Sequence, residues 1–144
     1  MSLDIYATTK GKKIHEYEQL GTAYYSWDRE EKVRTQTKLT NEVLWINITH
    51  NLTEMASHVS TLDTDLYHVM WRPEEVFPDK KEIKLKDLTV LLEEGLKYVL
   101  SHEKELSKYN PENGWGHYEN FVYVLPQYIR ACYKWPNAIV EISR

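Results

Sequence analysis

The stretch Leu3-Asp-Ile-Tyr-Ala-Thr-Thr9 decides the fold, because its apolar and polar side chains alternate as they do along a half-buried β-strand. The segment 138–143, near the other end of the chain, alternates in the same way. Neither segment can bury an apolar face by itself. We therefore expect the two to pair as neighbouring strands of one small sheet.

Further strands are predicted on the C-terminal side of this first segment. Residues 17–27 and 42–48 are rich in aromatic and β-branched side chains, which favour strands. Between the first strand and residue 42 lie a turn signal, Lys10-Gly-Lys-Lys13, and a polar run without a clear period. We expect residues 10–41 to form a hairpin or loop insert within one domain that spans 1–144.

Three helices are predicted by apolar side chains that recur every three to four residues. The first covers 49–59 and is capped by Thr49; the second begins at Asp87 and has the widest apolar stripe. The third begins at a cap on Asn113 and contains Pro126, which we expect to kink it. Residues 60–84 are expected to be an irregular linker. The fold class is therefore α+β, with three helices packed on a small, mostly antiparallel sheet.

Charge and composition argue against several classes of function. The chain carries 18 Lys and Arg against 22 Asp and Glu, well mixed, so no broad positive field would attract nucleic acid. Its apolar runs are far shorter than the roughly 20 residues of a membrane span, and its start lacks a secretory signal, which predicts a cytoplasmic location. A single cysteine, Cys132, excludes intramolecular disulfides and multi-cysteine metal sites.

Motifs that would indicate a bound metal or cofactor are weak. Asp63-Thr-Asp65 offers two carboxylates, but without further acidic spacing it is more typical of a solvated turn. His50 and His58 would lie about 12 Å apart along an ideal helix, too far to share one zinc ion. We predict neither a metal nor a cofactor.

His50 is the best candidate for acid–base chemistry. It begins a predicted helix beside Asn47 and Asn51, whose amides could orient a bound group. The alternative is that His50 only caps the helix and anchors the preceding loop.

The aromatic residues are 11 Tyr and 5 Trp against 2 Phe, so nearly every ring carries a polar atom suited to a ligand pocket or an interface. Three short segments combine such rings with amides and turn residues. We expect them to form one ligand site, named here the predicted cluster: Asn47, His50, Asn51, Trp71, Arg72, Asn113, Trp115 and Tyr118. Two converging helix starts would supply amide N–H groups for an anion, and Arg72 would close the site. Structural turns that pin the two tryptophans to the core are the alternative.

The same segments carry a resemblance to a family of small proteins encoded by tailed phages and prophages. It rests on the following stretches: Met1-Ser-Leu-Asp-Ile-Tyr6, Asn47-Ile-Thr-His-Asn-Leu52, Trp71-Arg-Pro-Glu-Glu75, Asn110-Pro-Glu-Asn-Gly-Trp-Gly116 and Glu141-Ile-Ser-Arg144. The chain departs from that pattern at Pro126 and in residues 10–41, which are a variable insert in such proteins. The resemblance implies a phage context and no particular chemistry.

Small accessory phage proteins commonly interfere with host defence, and by analogy we expect this one to do so. Rings for stacking, amides for base edges and an arginine for phosphates favour sequestration of a nucleotide-like molecule without catalysis. Inhibition of a host defence protein, or a small nucleotide-processing enzyme that uses His50, are the alternatives. An aromatic-rich surface also predicts a homo-oligomer.

Overall fold

The computed structural model describes residues 2–11, 14–15 and 39–144. The predicted strand at 17–27, and with it most of the predicted insert, lies outside these residues. The elements in chain order are β1 (Ser2–Thr8), β2 (Ile14–His15), β3 (Leu39–Thr40), β4 (Glu42–Thr49), α1 (Thr53–Ser57), α2 (Leu66–Trp71), α3 (Pro73–Val76), α4 (Leu85–Ser101), α5 (Glu103–Ser107), α6 (Tyr118–Lys134) and β5 (Ile139–Ser143). A short 3-10 turn, His50–Leu52, joins β4 to α1.

The main sheet is antiparallel, and its strand order is β4-β1-β5. In register, Ile5 lies opposite Ile46 on β4 and opposite Ile142 on β5. The predicted pairing of the two end segments is therefore confirmed, and β1 is the central strand. A bulge between Ala7 and Thr8 shifts the register against β4, while β2 and β3 form a separate two-residue ladder.

One face of the sheet is covered by helices, and alternation along β1 explains which face. Leu3, Ile5 and Ala7 are fully buried, whereas Asp4 and Tyr6 on the opposite face are half-buried. The predicted α+β class is confirmed, because the buried face of this sheet and the apolar stripes of the helices form one core.

The two long helices, α4 and α6, pack against each other over the sheet. Gly95 in α4 lies close to α2: a Cβ there would be 3.2 Å from Leu66 Cδ1. That proximity is the close packing expected from a glycine inside an amphipathic helix. Pro126 lies inside α6 without ending it.

The number of helices differs from the expected three, because the first helix is shorter and the linker is not irregular. Residues 49–59 form a 3-10 turn and the five-residue α1. The predicted linker contains α2 and α3. Asp65, interpreted as part of a solvated turn, caps α2 by accepting a hydrogen bond from His68 N at 2.9 Å.

Two predicted caps also differ. Asp87 is the third residue of α4, and its carboxylate accepts from Lys84 N at 2.9 Å. The cap of α6 is His117 instead of Asn113, and Asn120 in the first turn accepts from His117 N at 2.7 Å. In both helices the polar side chain at the third helical position accepts a hydrogen bond from the backbone N–H of the capping residue.

None of the helices within the described ranges is both long and apolar enough to cross a membrane.

Candidate functional site

His50 and Trp71, both in the predicted cluster, are in direct contact. The indole Nε1–H of Trp71 donates to Nδ1 of His50 at 2.9 Å. The Nδ1 lone pair is therefore occupied, so the neutral imidazole carries its proton on Nε2. His50 is half-buried, and in this arrangement it offers Nε2–H as a donor and cannot accept a proton at Nδ1 without losing Trp71.

Trp71 itself belongs to the core and connects His50 to Arg72. Its ring is buried and stacks on Tyr67 at 5.9 Å between centroids. The Nε–H of Arg72 donates to the hydroxyl of Tyr67 at 3.3 Å, and Arg72 Nε also lies 3.6 Å from a Glu75 carboxylate oxygen. The contact with Tyr67 raises the pKa of Arg72, so its guanidinium is charged.

A second contact joins Asn51 to Trp115. The side-chain amide of Asn51 donates to the Trp115 carbonyl at 3.1 Å, and Asn113 Oδ1 accepts from Trp115 N at 2.9 Å. These bonds fix the loop before α6 against the start of α1. The Trp115 side chain is 73% exposed, so its indole is held by its backbone and is open to a partner.

Asn47 lies on the outer face of the sheet, apart from the loops. Its amide donates to Ser2 Oγ at 2.9 Å and to Asp4 Oδ1 at 2.8 Å. Trp45 Nε1 donates to the same Asp4 oxygen at 3.0 Å. The side chain of Asn47 is thus part of a polar network across β1 and β4.

Tyr118 is a core residue. Its side chain is buried, its hydroxyl donates to the Val99 carbonyl at 2.5 Å, and burial raises its pKa. Its backbone N–H, the first of α6, donates to Asn110 Oδ1 at 2.8 Å. That amide, which the predicted anion site would have used, is bonded within the protein.

Contacts thus link most of the predicted cluster into two groups that meet at the adjacent residues His50 and Asn51. One group continues through Trp71 and Tyr67 to Arg72, and the other continues through Trp115 to Asn113. Asn47 and Tyr118 have their hydrogen bonds elsewhere, on the sheet and in the core.

A cavity that the sequence did not indicate lies at the opposite end of β1. Its volume is about 460 Å³, within the range of small-molecule sites. The charged and polar side chains of its wall, among the described residues, are Thr9, Lys10, Glu82, Lys84, Lys134 and Asn137, beside the ring of Trp135. We call it the lysine cavity. Among the described residues, three lysines against a single carboxylate make the cavity basic on a chain whose formal charge is -4.

The fold positions these lysines by anchoring the start of α4 on the segment before β5. Leu85 N donates to the Ala138 carbonyl and Lys86 N to the Pro136 carbonyl, each at 3.0 Å. Lys84 forms an isolated bridge with Ile139. Because these hydrogen bonds hold the start of α4 against the segment before β5, Lys84 and Trp135 line the same cavity.

Several side chains in the wall have partners within the protein. Lys10 Nζ lies 2.9 Å from Glu82, and Lys134 Nζ lies 5.5 Å from the centre of the Trp135 ring, a cation–π distance. The buried Nε1–H of Trp135 has no acceptor among the described residues. The cavity therefore combines cations with an aromatic wall.

No signal in the sequence brings these residues together. Lys10 lies in a turn signal, Lys84 at the end of the predicted linker, and Trp135 in the Trp-Pro-Asn that ends the third helix. Each alone is typical of an exposed turn.

Among the described side chains, no group of three or more His, Cys, Asp or Glu is arranged to hold a metal ion. Comparison of the chain with family models, with curated proteins and with solved structures finds no match. The resemblance to phage-encoded proteins therefore stays a prediction.

Proposed function

We propose that this protein binds a nucleotide-like small molecule without converting it, and that the lysine cavity holds the phosphates. The observation that carries the proposal is the meeting of Lys10, Lys84 and Lys134 in one cavity beside Trp135. Phosphates are bound in proteins by such point charges, and a planar base gains from contact with an indole ring.

The contrast in charge between cavity and chain supports an anionic ligand. The chain as a whole has a formal charge of -4, whereas a cleft lined by one sign of charge concentrates the opposite ion. More lysines, Lys80, Lys81 and Lys86, follow on the adjoining surface. The ligand's charge would be drawn to this end of the molecule.

The enzymatic alternative that uses His50 is disfavoured, because His50 follows β4 at the other end of the sheet from the lysine cavity and its Nδ1 lone pair is occupied. A general base needs a free lone pair within reach of its substrate, and the Nδ1 lone pair of His50 accepts from Trp71. In the phage context that the sequence resembles, a binder without turnover would act by sequestering a nucleotide messenger of host defence in the host cytoplasm.

Calorimetry with AMP, ATP and cyclic dinucleotides tests the proposal, together with mass spectrometry of whatever small molecule a denatured preparation releases. We expect heat with at least one nucleotide and no product after incubation. Lys84→Gln should weaken binding at least about tenfold, because it removes one phosphate contact. Lys104→Gln, on exposed α5, is the matched control. The proposal fails if wild type gives no heat with any nucleotide, or if both variants bind equally well.

The second candidate function is inhibition of a host protein, and exposed Trp115 favours it. Tryptophan is the residue most often found at the energetic centre of an interface, and Trp115 is held in place by Asn51 and Asn113. Capture of one defence protein by wild type, lost in Trp115→Ala and kept in Leu62→Ala, would favour this candidate.

A further inference from the structure

The outer face of the helical layer carries apolar side chains that the described residues leave uncovered. On α4, Val90 is 54% and Leu100 58% exposed. Between them runs a groove of about 510 Å³, lined by Val90, Glu93, Glu94, Leu96, Lys97, Leu100 and Ile129. Exposed aliphatic side chains grouped on one helix indicate an interaction surface more than scattered ones do.

The spacing of these residues places apolar groups at both ends of a stripe and opposite charges in its middle. Val90, Glu93, Lys97 and Leu100 are three or four residues apart, so they share one side of α4. Lys97 Nζ lies 3.8 Å from Glu94, a long contact, and its side chain is largely exposed. Glu93 is oriented by the hydroxyl of Tyr133, which donates to it at 3.0 Å.

We infer that a second copy of this chain covers the stripe, with the two α4 helices antiparallel about a two-fold axis beside Gly95. In this arrangement Val90 of each copy lies opposite Leu100 of the other, and Glu93 lies opposite Lys97. Every contact then occurs twice, as an isologous interface requires. In this arrangement the apolar residues of one stripe face those of the other, and each glutamate faces a lysine. This self-complementarity favours a second copy of the chain over an unrelated partner.

The size of the surface is consistent with a stable dimer only if α6 takes part. Helix α4 is about 25 Å long, and one face of such a helix is smaller than the roughly 800 Å² that each partner buries in a standard interface. Ile129 and Tyr133 of α6 lie beside the groove and extend the apolar area. At the level of the axis, Gly95 packs inward against Leu66, on the face of α4 opposite the stripe.

Light scattering on the full chain at micromolar concentration tests the inference, and it is independent of any ligand. We expect twice the monomer mass for wild type. Leu100→Asp should give the monomer mass, because it places a carboxylate opposite the second copy's Val90. Leu62→Asp is the matched control, since Leu62 is also exposed but lies in the loop before α2, and it should stay dimeric.

A charge swap identifies the partner as a second copy in the stated register. Glu93→Lys and Lys97→Glu should each raise the dimer dissociation constant at least about tenfold. Each variant puts two like charges opposite each other on both sides of the two-fold axis. The double variant restores both pairs in trans and should recover most of the affinity. Circular dichroism melting of each variant separates lost association from lost folding.

Three outcomes would overturn the inference. They are a monomeric wild type, a Leu100→Asp variant that keeps the dimer mass, and a double swap no tighter than the single variants. A monomeric wild type would mean that a different protein covers this face. A double swap no tighter than the single variants would mean that the dimer uses another surface or register.

Discussion

The indole N–H of Trp71 donates to Nδ1 of His50 at 2.9 Å. This bond connects the buried last residue of α2 to the 3-10 turn that follows β4. It explains two features together: why a polar ring can be fully packed in the core, and why the neutral His50 ring is held as the Nε2–H tautomer.

We expect His50→Ala to destabilise the protein by about 1–3 kcal/mol, because it leaves the buried Trp71 N–H without its acceptor. Trp71→Phe removes the donor, and a double-mutant cycle should give a coupling of about 1 kcal/mol. Nitrogen chemical shifts of the imidazole should report the Nε2–H tautomer. A coupling near zero, or an Nδ1–H tautomer, would contradict this assignment.

Two glycines in the loop before α6 should respond differently to alanine. Gly116 has φ of +111°, and a Cβ there would lie 2.8 Å from Thr49 Cγ2, so Gly116→Ala should cost about 2 kcal/mol or more. Gly114 has φ of +75° but no atom within 4 Å, so Gly114→Ala should cost only about 1 kcal/mol. Urea unfolding of both variants measures the difference, and equal losses would show that contact with Thr49 contributes nothing.

The contact between Arg144 and Glu74 makes stability depend on pH. Burial by itself raises the pKa of Glu74, but the hydrogen bond from Arg144 and nearby guanidinium charges outweigh it and lower the pKa below 4.5. A lowered folded-state pKa adds stability above the unfolded value, which is lost as the pH falls through the folded value. The gain at neutral pH should stay under about 1 kcal/mol, because the pair is partly exposed.

Arg144→Gln should therefore lower the melting temperature at pH 7 and flatten its dependence on pH below about 4.5. Glu74→Gln separates the effects, since it keeps the hydrogen bond from Arg144 to the Trp71 carbonyl. Arg130→Gln, on the exposed side of α6, should change neither. If the melting temperature of Arg144→Gln falls with decreasing pH as steeply as that of wild type, the contact between Arg144 and Glu74 does not cause the pH dependence.

Cys132 should be inert to thiol reagents in the native protein. Burial raises the pKa of its thiol from 9.0 to about 12, so almost no thiolate forms at pH 8. Because the folded pKa is raised, the associated stability is present below pH 9.0 and declines as the pH rises above it. Labelling with iodoacetamide at pH 8 should succeed only after unfolding; rapid native labelling would place the thiol at the surface.

Nucleotide binding, if present, should distinguish the lysine cavity from the predicted cluster. Lys84→Glu should weaken binding more than Arg72→Ala does, because it reverses a charge in the wall of the cavity, whereas Arg72 does not line that cavity and is paired with Tyr67 and Glu75. Affinity should also fall as salt rises from about 0.05 to 0.5 M, as the Debye length shortens. Loss of binding in Arg72→Ala alone would assign the ligand to the predicted cluster.

Local patterns in the sequence were enough for the fold class and for the longest elements, but not for the short helices within the predicted linker. Alternation along β1 and along 138–143 predicted the central pair of strands, and the apolar stripe of the second helix predicted α4, because both patterns are set by the residue's own neighbours in the chain. Caps were less well predicted. Asp87 and the amides near α6 have the right chemistry, but a first-turn residue that reaches back and a true cap give similar sequences.

The candidate sites depended on contacts between distant parts of the chain. His50 could be identified as a polar residue at an element's end, yet only the fold shows that Trp71 occupies its Nδ1. Trp71 and Tyr118 were expected at a ligand and lie in the core, because a ring with a polar atom can be buried wherever a carbonyl or imidazole accepts its proton.

By itself the sequence determined the α+β class, the pairing of β1 with β5 and the two long helices. Only the tertiary structure brought Lys10, Lys84 and Lys134 beside Trp135, since antiparallel pairing and the anchoring of α4 on Ala138 join residues that are far apart in the chain. The physical reason is that burial leaves a periodic trace along the sequence, whereas the convergence of exposed charges leaves none.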